Sequence, residues 1–188
     1  SGLATPLVLS VHSVVSWDFA MSIVPGWHAT IFAPYFVAGA VFGGFATVMV
    51  VMIPVRRIYG LEEYITDYHL ENMSRFILFT SNICGYAYAM EYFIAWYSQN
   101  PYEQEIFYWR MTGDYAWAFW LMFTCNCVIP QLFWFKKVRT NLKWLFVISL
   151  IINVGMWMER FNICVSSTAN GFDPAMWRYY WPSNTEWG

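Results

Sequence analysis

The chain has 188 residues, of which 59% are hydrophobic, 22% aromatic and only 12% charged. A soluble domain carries roughly 25% charged residues, and half that supply cannot cover the surface of a compact fold of this size. With 10 basic against 12 acidic residues there is no basic footprint for a polyanion. A nucleic-acid module is therefore excluded, along with disorder, a collagen-like fibre and a disulfide-stapled secreted domain. An all-α integral membrane protein remains.

The chain opens at Ser1 without the charged n-region and small-residue cleavage site of a signal peptide. It reads as an internal piece of a longer polypeptide. A spanning helix needs about 20 mostly apolar residues, and five stretches qualify. The first, about 3–24, is interrupted by His12 and Asp18. The second, about 29–55, is uncharged and ends at Arg56-Arg57; its Gly39, Gly43 and Gly44 allow close helix approach. The segment Ile58–Asn72 has acidic residues at 62, 63, 67 and 71 and reads as an interfacial helix. The third span, about 73–97, carries Arg75 at its start and Glu91 inside. The segment Ser98–Asp114 is polar and aromatic, with Asn100-Pro101 as a turn signal. The fourth span, about 115–135, is broken only by Pro130. The fifth, about 143–165, is uncharged until Glu159-Arg160. An aromatic tail, 166–188, follows, with Pro174, Pro182 and four Trp or Tyr within Trp177–Trp181. So aromatic a segment should lie against the membrane surface or a partner. The expected architecture is a four-helix bundle plus one preceding helix.

Charge fixes the orientation. Arg56, Arg57, Arg75, Lys136, Lys137, Arg139 and Lys143 flank the 2–3 and 4–5 connections, whereas the other two hold only Arg110. The positive-inside rule puts the basic connections in the cytoplasm. Five spans then leave the N-terminus inside and the tail in the periplasm.

Ionisable groups within hydrocarbon are expensive, so each is a candidate for chemistry. Asp18 lies seven residues before Pro25, about 10 Å from the end of its span, and His12 one and a half turns deeper. They are six residues apart, roughly 120° around the helix, on separate polar strips. Each could accept a proton, partner a quinone ring, or simply satisfy a neighbouring helix. Glu91, flanked by Tyr88 and Tyr92, could relay protons or pair with Arg160. Glu159 and Arg160, about 100° apart on the helix, are no ideal intrahelical pair and read as charges anchoring the helix end. Asp67 and His69 could form a proton entrance, although a solvated helix is the plainer account. Metal signals are weak. Cys84, Cys125, Cys127 and Cys164 have no C-x-x-C spacing, and only His12 is deep enough for a haem.

Three stretches carry a family resemblance: HLENMSRFILFTSNICGYAYAMEYFIAWYSQNPYE (69–103), MERFNICVSS (158–167) with Pro174, Trp177 and Tyr180-Trp181-Pro182 beyond it, and ATPLVLSVHSVVSWDFAMSIVPGWH (4–28). The chain resembles the polysulfide-reductase (NrfD-like) membrane family, and within it the quinol-oxidising membrane subunit of alternative complex III. The resemblance implies a bacterial inner-membrane subunit that oxidises quinol, menaquinol being the expected substrate. Electrons would pass to an iron–sulfur subunit and on to c-type cytochrome subunits, with no haem or cluster in this chain. A homologous membrane subunit would stand beside it. Family members contain two four-helix bundles, of which this chain looks like roughly the second. The family's quinol pocket draws largely on the first, so His12 and Asp18 would stand at the pocket's edge as ring partners or first proton acceptors. Glu91, Tyr88, Tyr92, Arg160, Glu159, His69 and Asp67 would lie on proton routes, possible coupling to proton translocation included. Two other classes stay open: a non-catalytic anchor for an iron–sulfur/cytochrome c complex, and a proton transporter.

Overall fold

A computed structural model describes residues 2–24 and 26–169, and positions 178, 183 and 185. Among these the structure is helical throughout, without strands. Helix α1 (Ala4–Ala20) ends where Met21 and Ser22 turn back onto Trp17 and Phe19. Gly26 (φ +78°) carries the chain into α2 (Phe32–Ile58). After a turn at Gly60 (φ +62°), α3 runs from Asp67 to Ser98. A shorter helix, α4 (Pro101–Thr112), leads to α5 (Ala116–Phe123), which continues as a π turn (Thr124–Val128) and a 3-10 turn (Ile129–Trp134). The single turn α6 (Lys136–Arg139) precedes α7 (Leu142–Phe161). A second π turn (Asn162–Ser166) joins α7 to α8 (Ser167–Ala169).

Helix α2 is the hub. It packs against α1, α3 and α7, while α5 closes the bundle against α7. Phe42, Ala46, Met49, Ile77, Ile148 and Ile152 meet at its centre, all essentially inaccessible. Gly39 and Gly43 face Met156 of α7, so two of the three small residues do allow close approach; Gly44 faces open space. The outward surface is apolar as well: Leu7, Val11, Val51, Phe79, Trp144, Val147 and Trp157 are exposed. Water would not tolerate so continuous an apolar shell, whereas lipid requires it. This is a multi-pass membrane protein.

Among the described residues, three helical stretches are long and apolar enough to cross a membrane: Phe32–Ile58, Ala116–Trp134 and Leu142–Ala169. Helix α1, with 17 residues, reaches about 25 Å against a hydrocarbon core of about 30 Å. Helix α3 has 32 residues, but Asp67, Glu71, Arg75, Glu91 and its tyrosines lower its hydropathy.

Two connecting segments differ from expectation. Leu61–Thr66 is turn rather than interfacial helix, and Asp67 and Glu71 belong to the first turns of α3. There His69 Nδ1 accepts from the Thr66 backbone N–H (3.2 Å) in a capping box. The segment after Ser98 is not simply a loop. Asn100 caps α4 by accepting from the Tyr102 N–H (3.1 Å), and Pro101 begins the helix, where its missing N–H costs nothing. Pro130 does break the regular helix, by tightening it into the 3-10 turn. The start of the expected tail, Ser166–Ala169, belongs to the second π turn and α8, while Pro174, Trp177, Tyr180, Trp181 and Pro182 lie outside the described residues, as does Pro25.

Candidate functional site

The two π turns stand next to a group of buried polar residues, Ser81, Asn126, Glu159 and Asn162. A π turn inserts one residue into a helix and frees carbonyls for other partners. In the first, the Asn126 carbonyl accepts from Ser81 Oγ (2.6 Å), tying α5 to α3. In the second, the Ile163 carbonyl accepts from Trp27 Nε1 (2.9 Å), tying the α1–α2 connection to α7. Between them Glu159 is 1% exposed. Tyr88 OH donates to Glu159 Oε2 at 2.5 Å, and Asn126 Nδ2 donates to the same oxygen at 3.3 Å. Tyr35 stands edge-on to Tyr88, with centroids 5.5 Å apart, and also faces Glu159. Gly155 makes this approach possible: a Cβ there would lie 2.5 Å from Cys125 Cβ and would collide with the Asn126 amide. Gly39 borders the other carboxylate oxygen, its Cβ position being 3.7 Å from Glu159 Oε1.

Glu91 connects this cluster to the surface. A cavity of about 30 Å³ is lined by Tyr35, Tyr88, Glu91, Tyr92, Arg110 and Glu159, among others. That is room for a single water. On its other side Glu91 borders a pocket of about 490 Å³, formed by the end of α1, the α1–α2 connection and α4, with His28 and Glu103 in its walls. Arg110 of α4 is the cation whose field reaches Glu91. Its Nη2 donates to Ser167 Oγ (2.5 Å), and its guanidinium lies 5.2 Å over Phe107. Gly26 leaves it room, since a Cβ there would fall 2.7 Å from Arg110 Cζ. The result is a series of exchangeable groups from pocket to core: Glu91, a water-sized cavity, Tyr88, Glu159. Such a series can pass a proton by local rotations and need not move a charge through hydrocarbon.

A family model, "Polysulphide reductase, NrfD", matches residues 2–169. The chain belongs to that family. No curated protein matches it. As an NrfD member it is a membrane subunit of a redox complex, and NrfD subunits typically pair with iron–sulfur subunits.

The candidates read from the sequence fall into three groups in this NrfD chain. Glu91, Tyr88 and Glu159 come together around the small cavity, and Tyr92 lines it with its ring 5.0 Å from Phe107. His12 and Asp18 stand apart on α1. The His12 ring bonds its own helix (Nδ1 to Val8 O, 2.8 Å) and Asp18 is exposed; neither borders these cavities. Asp67 and His69 lie at the basic end, Asp67 paired with Arg56 at 2.8 Å and His69 in the α3 cap.

Two expectations are corrected. Arg160 pairs with neither Glu159 nor Glu91; its guanidinium lies 4.7 Å over the Phe36 ring. Adjacent helix positions diverge by about 100°, so Glu159 faces the core while Arg160 turns to α2. Nor does Glu159 end its helix, which continues to Ala169. Asn126, Tyr35 and Arg110 were not expected at the site. A buried Asn within the uncharged fourth stretch was the available signal; π turns leave none in sequence.

Proposed function

We propose that this chain is the membrane subunit of a quinol-oxidising complex of the alternative complex III type in the bacterial inner membrane. On this reading α1 and α3 also span, making five crossings, with the basic end and the N-terminus in the cytoplasm and the α4 end in the periplasm. Menaquinol is the substrate. Its oxidation to the quinone releases two electrons and two protons. The electrons go to a partner iron–sulfur subunit and then to c-type cytochrome subunits. The protons leave through residues of this chain, and coupling to proton translocation would use the same groups.

The observation that carries this reading is the position of Glu91, between a pocket of about 490 Å³ and the buried Tyr88–Glu159 cluster. Pockets of ~300–1,000 Å³ hold ring-sized ligands, with a few polar groups to orient them. Glu91, His28 and Glu103 are such groups at its wall. Glu91 takes a proton from the quinol hydroxyl, and the small cavity exchanges it with Tyr88 and Glu159. His12 and Asp18, on the outward part of α1 and outside this pocket, would stand at its edge where a neighbouring bundle or homologous membrane subunit completes the quinol site.

The test is quinol oxidation and thermal melting measured on the same purified complex. Glu91→Gln keeps shape and hydrogen bonding but cannot exchange a proton. Its melting midpoint should stay within about 2 °C of wild type, while turnover falls at least about tenfold, since positioned acid–base groups supply ~10²–10⁴. Normal turnover per intact molecule would reject the relay and favour a non-catalytic anchor. Asp18→Asn should likewise cut turnover about tenfold with assembly intact; wild-type turnover would remove Asp18 from the quinol site.

A further inference from the structure

The basic end of the bundle holds a second crevice, remote from Glu91, that the redox reading does not use. Its volume is about 820 Å³, and it lies between the last turn of α2, the connection to α3 and the α6–α7 corner. Arg56, Arg57, Lys137 and Lys143 line it, against the acids Glu62 and Asp67. Asp67 is taken by Arg56 Nη1. Among the described residues no carboxylate pairs with Arg57, Lys137 or Lys143. The crevice therefore carries surplus positive charge.

Two features turn a basic surface into a built site. Arg56, which lines the crevice and holds Asp67 through Nη1, is only 9% exposed, and its buried Nε has no hydrogen-bond partner. An unsatisfied buried donor is costly unless something accepts from it. The N-terminus of the 20-residue helix α7 also opens here. Asn141 Oδ1 caps the Lys143 N–H (3.0 Å), and the positive end of the helix dipole faces the crevice.

The depth of the crevice identifies the anion's source. It lies where α2 and α7, two helices long enough to span, leave hydrocarbon, and Ile53 and Leu142 form its apolar wall. Trp134 and Trp144, both exposed, stand nearby in sequence at the level where aromatic rings meet headgroups. A soluble phosphate has no use for an apolar wall. We propose that this crevice binds the phosphodiester headgroup of an anionic phospholipid from the leaflet at the basic end, with its acyl chains along Ile53 and Leu142. Basic pockets between helices on this side of a membrane are suited to that role.

The test uses the purified full complex, stripped of lipid in neutral detergent, with melting followed as phosphatidylglycerol, phosphatidylcholine or inorganic phosphate is added. Phosphatidylglycerol should raise the midpoint by several degrees at saturation, while phosphatidylcholine and equimolar phosphate do not. The Arg57→Gln/Lys137→Gln/Lys143→Gln variant should need at least tenfold more phosphatidylglycerol for the same shift. Arg75→Gln, at the same end but outside the crevice, should respond as wild type. If the triple variant does not assemble, Lys143→Gln alone should show a loss of at least threefold. An equal response to phosphate would reassign the site to a soluble anion. An equal response to phosphatidylcholine, or an unchanged response in the crevice variants, would overturn the proposal.

Discussion

The basic end of the bundle and the layer around Glu159 treat the same chemical group, a carboxylate, in opposite ways. At the basic end carboxylates meet guanidinium groups near the surface. Arg56 pairs with Asp67 at 2.8 Å, and Glu71 is shared by Arg75 (2.9 Å) and Arg139 (3.6 Å). In the Glu159 layer the carboxylate is fully buried, and a phenol and an amide are its hydrogen-bond donors. Its neighbour in sequence, Arg160, is spent on Phe36 instead. Asp67 and Arg75 are more than half exposed, so their pairs are individually weak; the Arg56–Asp67 and Arg139–Glu71 pairs tie the end of α2 and the α6 turn to the start of α3. The second buries a carboxyl with hydrogen-bond donors and, among the described residues, no ion pair. That is expensive as architecture, and it suits a group that must exchange a proton.

The comparison breaks most sharply at Glu159. Glu159→Ala should strand the Tyr88 hydroxyl and the Asn126 amide, each costing ~1–3 kcal/mol when left unpaired, and should open a cavity besides. We expect a loss of about 3–5 kcal/mol, read as a large drop in the melting midpoint of the purified complex. If the variant melts like wild type, the cluster is not the organising layer. Gly155→Ala probes the same layer without removing a polar group. Its methyl would press on Cys125 and Asn126 and push the first π turn away from Glu159. The expected cost is about 1–3 kcal/mol. Gly44→Ala meets nothing within 4 Å and should be neutral or stabilising by up to about 1 kcal/mol. Equal effects at the two glycines would mean that close approach at Gly155 does not matter.

The same contrast explains what the sequence could and could not reveal. Long uncharged runs made α2 and α7 legible to within a few residues, because hydrocarbon imposes length and composition directly. The basic end was legible too, since Arg56, Arg57, Lys136 and Lys137 bracket those runs. Helix α4 was obscured because its residues are polar and aromatic without an apolar period, although Asn100-Pro101 carried the cap and first-turn signal. The Glu159 layer was the least legible. Its contacts join positions far apart in the chain: Tyr88 on α3, Asn126 in a π turn and Glu159 on α7. A π turn is one extra residue in a continuous helix, with no composition of its own. Glu159-Arg160 read as charges anchoring a helix end, and their divergence by about 100° was legible; which of the two faces the core was not, because that depends on how α7 is turned in the bundle. Glu91 drew attention because a lone carboxyl in an apolar helix is visible by itself; Arg110, which lines the same small cavity from α4, did not.

The smallest effect is expected at Asp67, and it measures the other side of the comparison. Asp67 is 77% exposed in its pair with Arg56, whose side chain is 11% exposed. The carboxylate therefore stays largely solvated, and the attraction is screened by salt. Asp67→Asn keeps the size of the side chain and an acceptor for Arg56 Nη1, and removes only the charge. The expected loss is at most about 1 kcal/mol, shrinking further between low and high ionic strength, with quinol turnover unchanged. Melting in low and high salt, with turnover on the same preparations, checks both parts. A salt-independent loss comparable to that of Glu159→Ala would show that the basic end holds a buried charge as dearly as the core does. The contrast between the two regions would then collapse. A turnover defect without destabilisation would instead move Asp67 onto a proton route at the basic end, the role its sequence position first suggested.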